Sequence, residues 1–155
     1  MLLLRRATTV LVALGTLGAL ALAAEALRAQ DLPPTMDAPS AAGLPGAGGL
    51  LVDIRTPQEQ RESGTPKGAV EVPLQDDSLS FRRIFIDDVL AAAGGDHDRP
   101  VAVIDADGRR SAFAARLLAS QGFAQVFSVG EGLFGSNLGP GWVARGLPVD
   151  PCPTC

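Results

Sequence analysis

The chemistry-bearing residues of this chain concentrate in two short stretches. The first is Asp105-Ala106-Asp107-Gly108-Arg109-Arg110, six polar or small residues between the apolar run Val101-Ala102-Val103-Ile104 and the Ala/Leu-rich run Ser111 to Leu118. Such an order reads as a buried strand, a tight loop and a helix that ends at Gly122. A loop at the carboxyl end of a strand and the amino end of a helix gathers backbone N–H groups, and anionic ligands bind where those groups converge. The expected site is therefore an anion- or substrate-binding loop made of Asp105, Ala106, Asp107, Gly108, Arg109 and Arg110. The second stretch is Cys152-Pro153-Thr154-Cys155, which holds both cysteines of the chain. A pair at this spacing forms either a local disulfide that adds little to global stability or a redox-active dithiol. No histidine follows Cys155 in the sequence, so c-type haem attachment is not expected.

Other residues suggest chemistry that their surroundings do not support. His97, between Asp96 and Asp98, is the only histidine and lies in a turn, whereas a closed metal site needs about four ligands. Asp105-Ala106-Asp107-Gly108 has the beginning of a calcium loop, but the bidentate acid required near its end falls in the Ala-rich run. Ile104-Asp105-Ala106-Asp107 imitates the Asp-x-Asp start of magnesium-dependent phosphatases with an aspartate nucleophile. That chemistry needs a later lysine, and the sole lysine, Lys67, lies upstream. No metal site and no cofactor are expected. Trp142, the only tryptophan, is expected to anchor a last helix against the core, and Arg82 and Arg83 with Asp87 and Asp88 to form a solvated helix face.

The elements that position the loop follow from pattern. Arg5 and Arg6 precede an uncharged run from Ala7 to Ala24, with small-residue cleavage options at Ala23, Ala26 and Ala29. This is the order of a secretory signal peptide over 1–29, which implies a periplasmic or secreted protein with no stable membrane association after cleavage. Cleavage after Ala29 removes Arg5, Arg6 and Arg28 against Glu25, which takes the formal net charge from -4 to -6. So acidic a domain has no electrostatic footprint for nucleic acid.

Residues 30–49, rich in Pro, Gly and Ala, are expected to form a flexible, extended lead-in with at most a helical turn around Ser40 to Leu44. Leu50 to Ile54 reads as a strand covered on both faces, and Thr56-Pro57-Gln58-Glu59 as a helix start with a capping box. Ala69 to Val72 is a second strand. Ser80 is expected to cap a helix burying Phe81, Ile84, Phe85, Val89 and Leu90, and Gln125 to Val129 is a further strand. Strands alternating with short helices indicate one α/β domain over 50–149, with a Cys-containing tail at 150–155.

Three stretches in this order resemble a single-domain rhodanese over Leu50 to Val149. They are Leu51-Val52-Asp53-Ile54-Arg55 with Pro57, Glu59, Gly64, Gly68, Ala69 and Pro73; Gly108-Arg109-Arg110-Ser111 with Ala114, Ala115, Leu117, Leu118, Gly122 and Phe123; and Val126 to Gly130 with Gly132, Trp142, Gly146, Leu147 and Pro148. The resemblance implies a three-layer α/β sandwich, its mainly parallel central sheet of about five strands covered by helices on both faces. It also implies a six-residue loop whose first residue, a cysteine, accepts a sulfane sulfur, the persulfide being held by loop N–H groups. In this chain that position is Asp105, and a carboxylate cannot form a persulfide. The family's usual His-Ile-Pro before Gly-Ala is likewise replaced by Thr65-Pro66-Lys67.

The expectation is a rhodanese-like pseudoenzyme that binds or docks a partner, either a protein or a small sulfur-containing anion. If the amide cradle persists, the Asp105 carboxylate fills it; otherwise Asp105 is simply solvated. The alternative keeps sulfur or redox transfer at Cys152 and Cys155.

Overall fold

The computed structural model describes residues 33–155, so the signal peptide read at 1–29 lies outside the described residues. Among those residues no helix is long and apolar enough to cross a membrane. The elements are β1 (Thr35–Met36), α1 (Ala38–Gly43), β2 (Leu50–Asp53), α2 (Pro57–Ser63), β3 (Thr65–Pro66), β4 (Ala69–Glu71), α3 (Phe85–Ala92), β5 (Val101–Ile104), α4 (Arg109–Ser120), β6 (Val126–Val129) and β7 (Val149–Asp150).

Five strands form one parallel sheet in the order β1-β6-β5-β2-β4, which puts β5 at the centre. β2 pairs with all of Val101–Ile104 and β6 with Val101 to Val103, and all four residues are fully buried. An uninterrupted apolar run is what a central parallel strand requires, since both faces are covered. One face packs Leu50, Val52, Ile54, Val101 and Val103 against Phe85 and Val89 of α3 and Ala114, Ala115 and Leu118 of α4. The other packs Leu51, Ala102, Ile104 and Val129 against Ala38 and Ala41 of α1, Leu133 and Trp142. The three-layer α/β arrangement expected from the resemblance is the one observed.

Three local expectations are corrected. Residues 33–49 are not a flexible lead-in. They supply edge strand β1, paired with β6, and helix α1, whose Ala38 and Ala41 are fully buried. Composition undervalued this segment because its order comes from distant partners. Asp37 caps α1 by accepting the Ser40 N–H, and the Glu131 carboxylate accepts the Ala38 N–H at 2.7 Å from 93 residues away.

Ser80 does not cap α3, which begins at Phe85 with no side-chain cap and leaves Phe81 and Ile84 about half exposed. The Asp76 carboxylate accepts the N–H groups of Ser78 and Ser80, and the Asp76 N–H donates to the Ser80 carbonyl, so a closed turn consumes the capping residue. Trp142 does anchor the core at 0% exposure, but from a chain of turns rather than from a last helix. Gly135 and Gly141, at φ +104° and +89°, hold a left-handed backbone that a regular helix does not allow.

Candidate functional site

Asp105 directly follows the last residue of β5, and the helix after it lacks a side-chain cap at its N-cap residue. Gly108 occupies the N-cap position of α4 at φ +87° and has no side chain to offer the exposed N–H groups of the first turn. Asp105 supplies what Gly108 cannot. Its Oδ1 accepts the Gly108 N–H at 2.8 Å, and its Oδ2 accepts the Arg110 N–H at 3.1 Å. The Arg110 Nε lies 3.5 Å from the same Oδ2, and the whole residue is 0% exposed. The carboxylate thus sits inside the loop that it begins, in the place where a bound anion would satisfy the same donors. Of the two arrangements open to Asp105 in the sequence, the solvated side chain is not the one observed: the carboxylate is buried against two N–H groups of the turn that follows it.

The loop is held from outside by the chain after β6. The Leu133 and Phe134 N–H groups donate to the carbonyls of Asp105 and Ala106 at 2.8 and 3.0 Å. A Cβ added at Gly108 would collide with the Gly130 carbonyl, and one at Gly132 would meet the Ala106 oxygen at 2.6 Å. Close backbone approach, together with positive φ, makes glycine the residue for both positions. Ser111, fully buried, donates its hydroxyl to the Gly108 carbonyl at 3.0 Å and so ties the first turn of α4 to the loop.

The two arginines diverge. Arg109 turns outward, its side chain 88% exposed, and pairs with Asp107 through Nε at 2.8 Å. Arg110 turns inward along the sheet, where its Nη1 and Nη2 donate to the two Glu59 oxygens at 2.8 and 2.6 Å. This fork-to-fork geometry is the strong form of an ion pair. Burial alone would raise the Glu59 carboxyl, but the Arg110 guanidinium and the Thr56 N–H outweigh it and hold the group at about 2. Glu59 also completes the capping box of α2 with Thr56, so one side chain fixes α2 to the loop helix α4.

Beside these residues opens a hollow of about 400 Å³, whose lining is Leu74, Gln75, Phe81, Arg109, Arg110 and Phe113. Phe81 and Phe113 present about half of their surface to solvent there.

Within this contiguous loop Asp105 is buried, while Gly108 contributes backbone alone. Asp107 and Arg109 form an exposed pair at the rim. The sequence indicated Glu59 as a capping residue and as part of the family resemblance; its pairing with Arg110, 51 positions away, leaves no local signal. Two further polar bolts were not read from the sequence as pairs. Asp53 and Arg55 form a fully buried ion pair at the end of β2, in which Arg55 Nη2 also donates to the Gly64 carbonyl at 2.6 Å. Glu131 accepts N–H groups from Ala38 and Gly141 and the Arg145 Nε. The second stretch lies elsewhere: Cys152 and Cys155 form a disulfide, its Cα atoms 5.5 Å apart, at the end of the chain beyond β7.

A five-stranded parallel sheet with helices packed on it, whose central strand runs into a tight loop and a helix amino end, defines a parallel α/β domain with its ligand end at that loop. Comparison with known proteins makes this specific. The family described as Rhodanese-like domain matches residues 37–136, and the chain belongs to that family. An uncharacterized protein of Rickettsia prowazekii, RP600, is 29% identical over 99 residues, covering 64% of this chain and 80% of the relative. Several solved structures share the fold. The crystal structure of Rv0390 from M. tuberculosis superposes with a TM-score of 0.64 at 22% identity over 78% of this chain and 99% of that one. The polysulfide-sulfur transferase homodimer of Wolinella succinogenes gives 0.57 at 24% identity over 88% of each chain.

Proposed function

We propose that this protein is an exported rhodanese-like binding module that does not carry sulfur at its loop. One observation carries the reading: the Asp105 carboxylate, fully buried, already accepts the Gly108 and Arg110 N–H groups. A persulfide anion held by such a loop would need those donors, and they are spent on an intramolecular carboxylate that cannot leave. Carboxylate oxygen is also a hard nucleophile, poorly matched to attack on sulfane sulfur. The same burial argues against an aspartate-nucleophile phosphatase, because neither Asp105 oxygen faces solvent.

The binding surface is the hollow next to the loop. Two half-exposed phenylalanines beside an exposed guanidinium suit a protein segment that presents an apolar side chain next to a carboxylate. A small sulfur-containing anion is the weaker occupant, because the amide cradle is full. Export rests on the basic-then-apolar order of residues 1–29 and agrees with a tail cysteine pair in the oxidised state.

The test is a thiosulfate-to-cyanide transfer assay on the purified protein. The expected result is no thiocyanate above the uncatalysed background, with no sulfur adduct on the intact protein by mass spectrometry. Turnover that disappears in Asp105→Asn would overturn the proposal.

A further inference from the structure

The chain's two thiols do not stand alone. β3 and β7 pair antiparallel, Thr65 opposite Asp150 and Pro66 opposite Val149, and this short sheet carries the tail back over the end of β4. There Cys152 Sγ comes to 4.0 Å from Oε1 of Glu71, the last residue of β4. One ligand atom each from Glu71, Cys152 and Cys155 lies within 4.8 Å of the other two. The carboxylate is oriented by the Thr65 hydroxyl, which donates to the same Oε1 at 3.1 Å. The far end of the tail is fixed as well, since Arg61 Nη1 donates to the Cys155 carbonyl at 2.7 Å. A solvent-open hollow along Arg61, Ser63, Gly64 and Pro151 reaches Cys152 and gives access to it.

We propose that reduction of the Cys152–Cys155 disulfide creates a site for a borderline divalent cation of the zinc class, held by the two thiolates and the Glu71 carboxylate. Two sulfurs and one oxygen, with water as the fourth ligand, are a donor set that such a cation accepts, whereas calcium and magnesium prefer oxygen alone. In the first step a dithiol reductant takes up the disulfide: its two S–H groups become one S–S bond, and Cys152 and Cys155 each gain a proton. In the second step the cation displaces both protons, so that M²⁺ and two thiols give a metal dithiolate and two H⁺. The Cα spacing of 5.5 Å suits a disulfide, and the turn closed by the Cys155 N–H on the Cys152 carbonyl keeps both sulfurs on one side once the bond opens. The consequence is a strap: oxidised, the tail is closed on itself; reduced and metallated, it is cross-linked to edge strand β4. This inference is independent of the reading of the Asp105 loop.

The experiment uses the whole chain, reduced with dithiothreitol and freed of it by gel filtration without oxygen, then titrated with Co²⁺. Expected are a thiolate-to-cobalt charge-transfer band that saturates at one metal per chain, displacement of cobalt by Zn²⁺, and no band for the oxidised chain. Glu71→Gln is expected to weaken binding about tenfold or more, and Cys152→Ser with Cys155→Ser to abolish the band. The proposal is overturned if the reduced chain gives no band, if Glu71→Gln binds as tightly as the unaltered chain, or if saturation requires two chains per metal, which would mean two tails bridged through four sulfurs.

Discussion

Replacing Asp105 by alanine tests whether its carboxylate is the occupant of the loop. The substitution removes the acceptor of two backbone N–H groups, at 2.8 and 3.1 Å, from a residue with 0% exposure. Each buried donor left without a partner costs about 1–3 kcal/mol, and loss of a negative charge at a helix amino end adds about 0.3–1 kcal/mol. Water entering the vacated volume recovers part of this, so the net loss should be about 2–4 kcal/mol in urea-induced unfolding. The second half of the test is specific to the cradle. Formate or acetate should bind where the carboxylate was and stabilise Asp105→Ala, by about 1.4 kcal/mol at ten times the dissociation constant. The unaltered protein, its donors already satisfied, should not respond to either anion. An Asp105→Ala protein within about 0.5 kcal/mol of the parent, or one that is destabilised but indifferent to formate, would refute the reasoning.

Three other perturbations probe the surrounding structure. Glu59 is held at about 2 against 4.5 by Arg110 and Thr56, so its contribution is complete above pH 4.5 and disappears as the pH falls toward 2. With its side chain 32% exposed, a discounted contribution of about 1–2 kcal/mol is expected. Unfolding curves of the parent and Glu59→Gln should therefore differ at pH 6 and converge at the acid end of that window. Gly108→Ala combines φ +87° with a Cβ collision against the Gly130 carbonyl, and should cost about 2–4 kcal/mol or abolish soluble expression, as read by urea midpoint and circular dichroism. Ala41→Leu should overpack α1 against the sheet and cost about 1–3 kcal/mol by the same measurement, an outcome foreign to a loose lead-in.

The parts of this protein that were legible in its sequence are those whose signals are local. Val101 to Ile104 declares a central strand by being wholly apolar, and Thr56-Pro57-Gln58-Glu59 declares a capped helix by residue type at fixed offsets; both formed as read. The loop from Asp105 to Gly108 was legible as a loop for the same reason, being contiguous between a strand and a helix. What escaped depends on partners far along the chain. The order of residues 33–49 relies on Glu131, the position of Arg110 relies on Glu59, and the approach of Cys152 to Glu71 joins residues 81 positions apart. Helix α3 starts late because the Ser80 carbonyl, which as an N-cap would accept the first helical bond, is taken by the Asp76 N–H of the preceding turn. Trp142 was legible as an anchor but not in its setting, since glycines at 135 and 141 replace a helix by turns.

Asp105→Cys tests the central claim most directly, because it returns a thiol to a loop whose donors are in place. Mixed with thiosulfate, the folded variant should take up one sulfur on the introduced thiol with release of sulfite, and cyanide should then remove that sulfur as thiocyanate and regenerate the thiol. Intact-mass measurement follows the added sulfur and colorimetry the thiocyanate, with the unaltered protein as the inactive control. Uptake and turnover in the variant alone are the predicted result. A variant that keeps the parental circular dichroism spectrum yet accepts no sulfur, or an unaltered protein that turns over at the same rate, would contradict the account of a sulfur-transfer loop occupied by its own carboxylate.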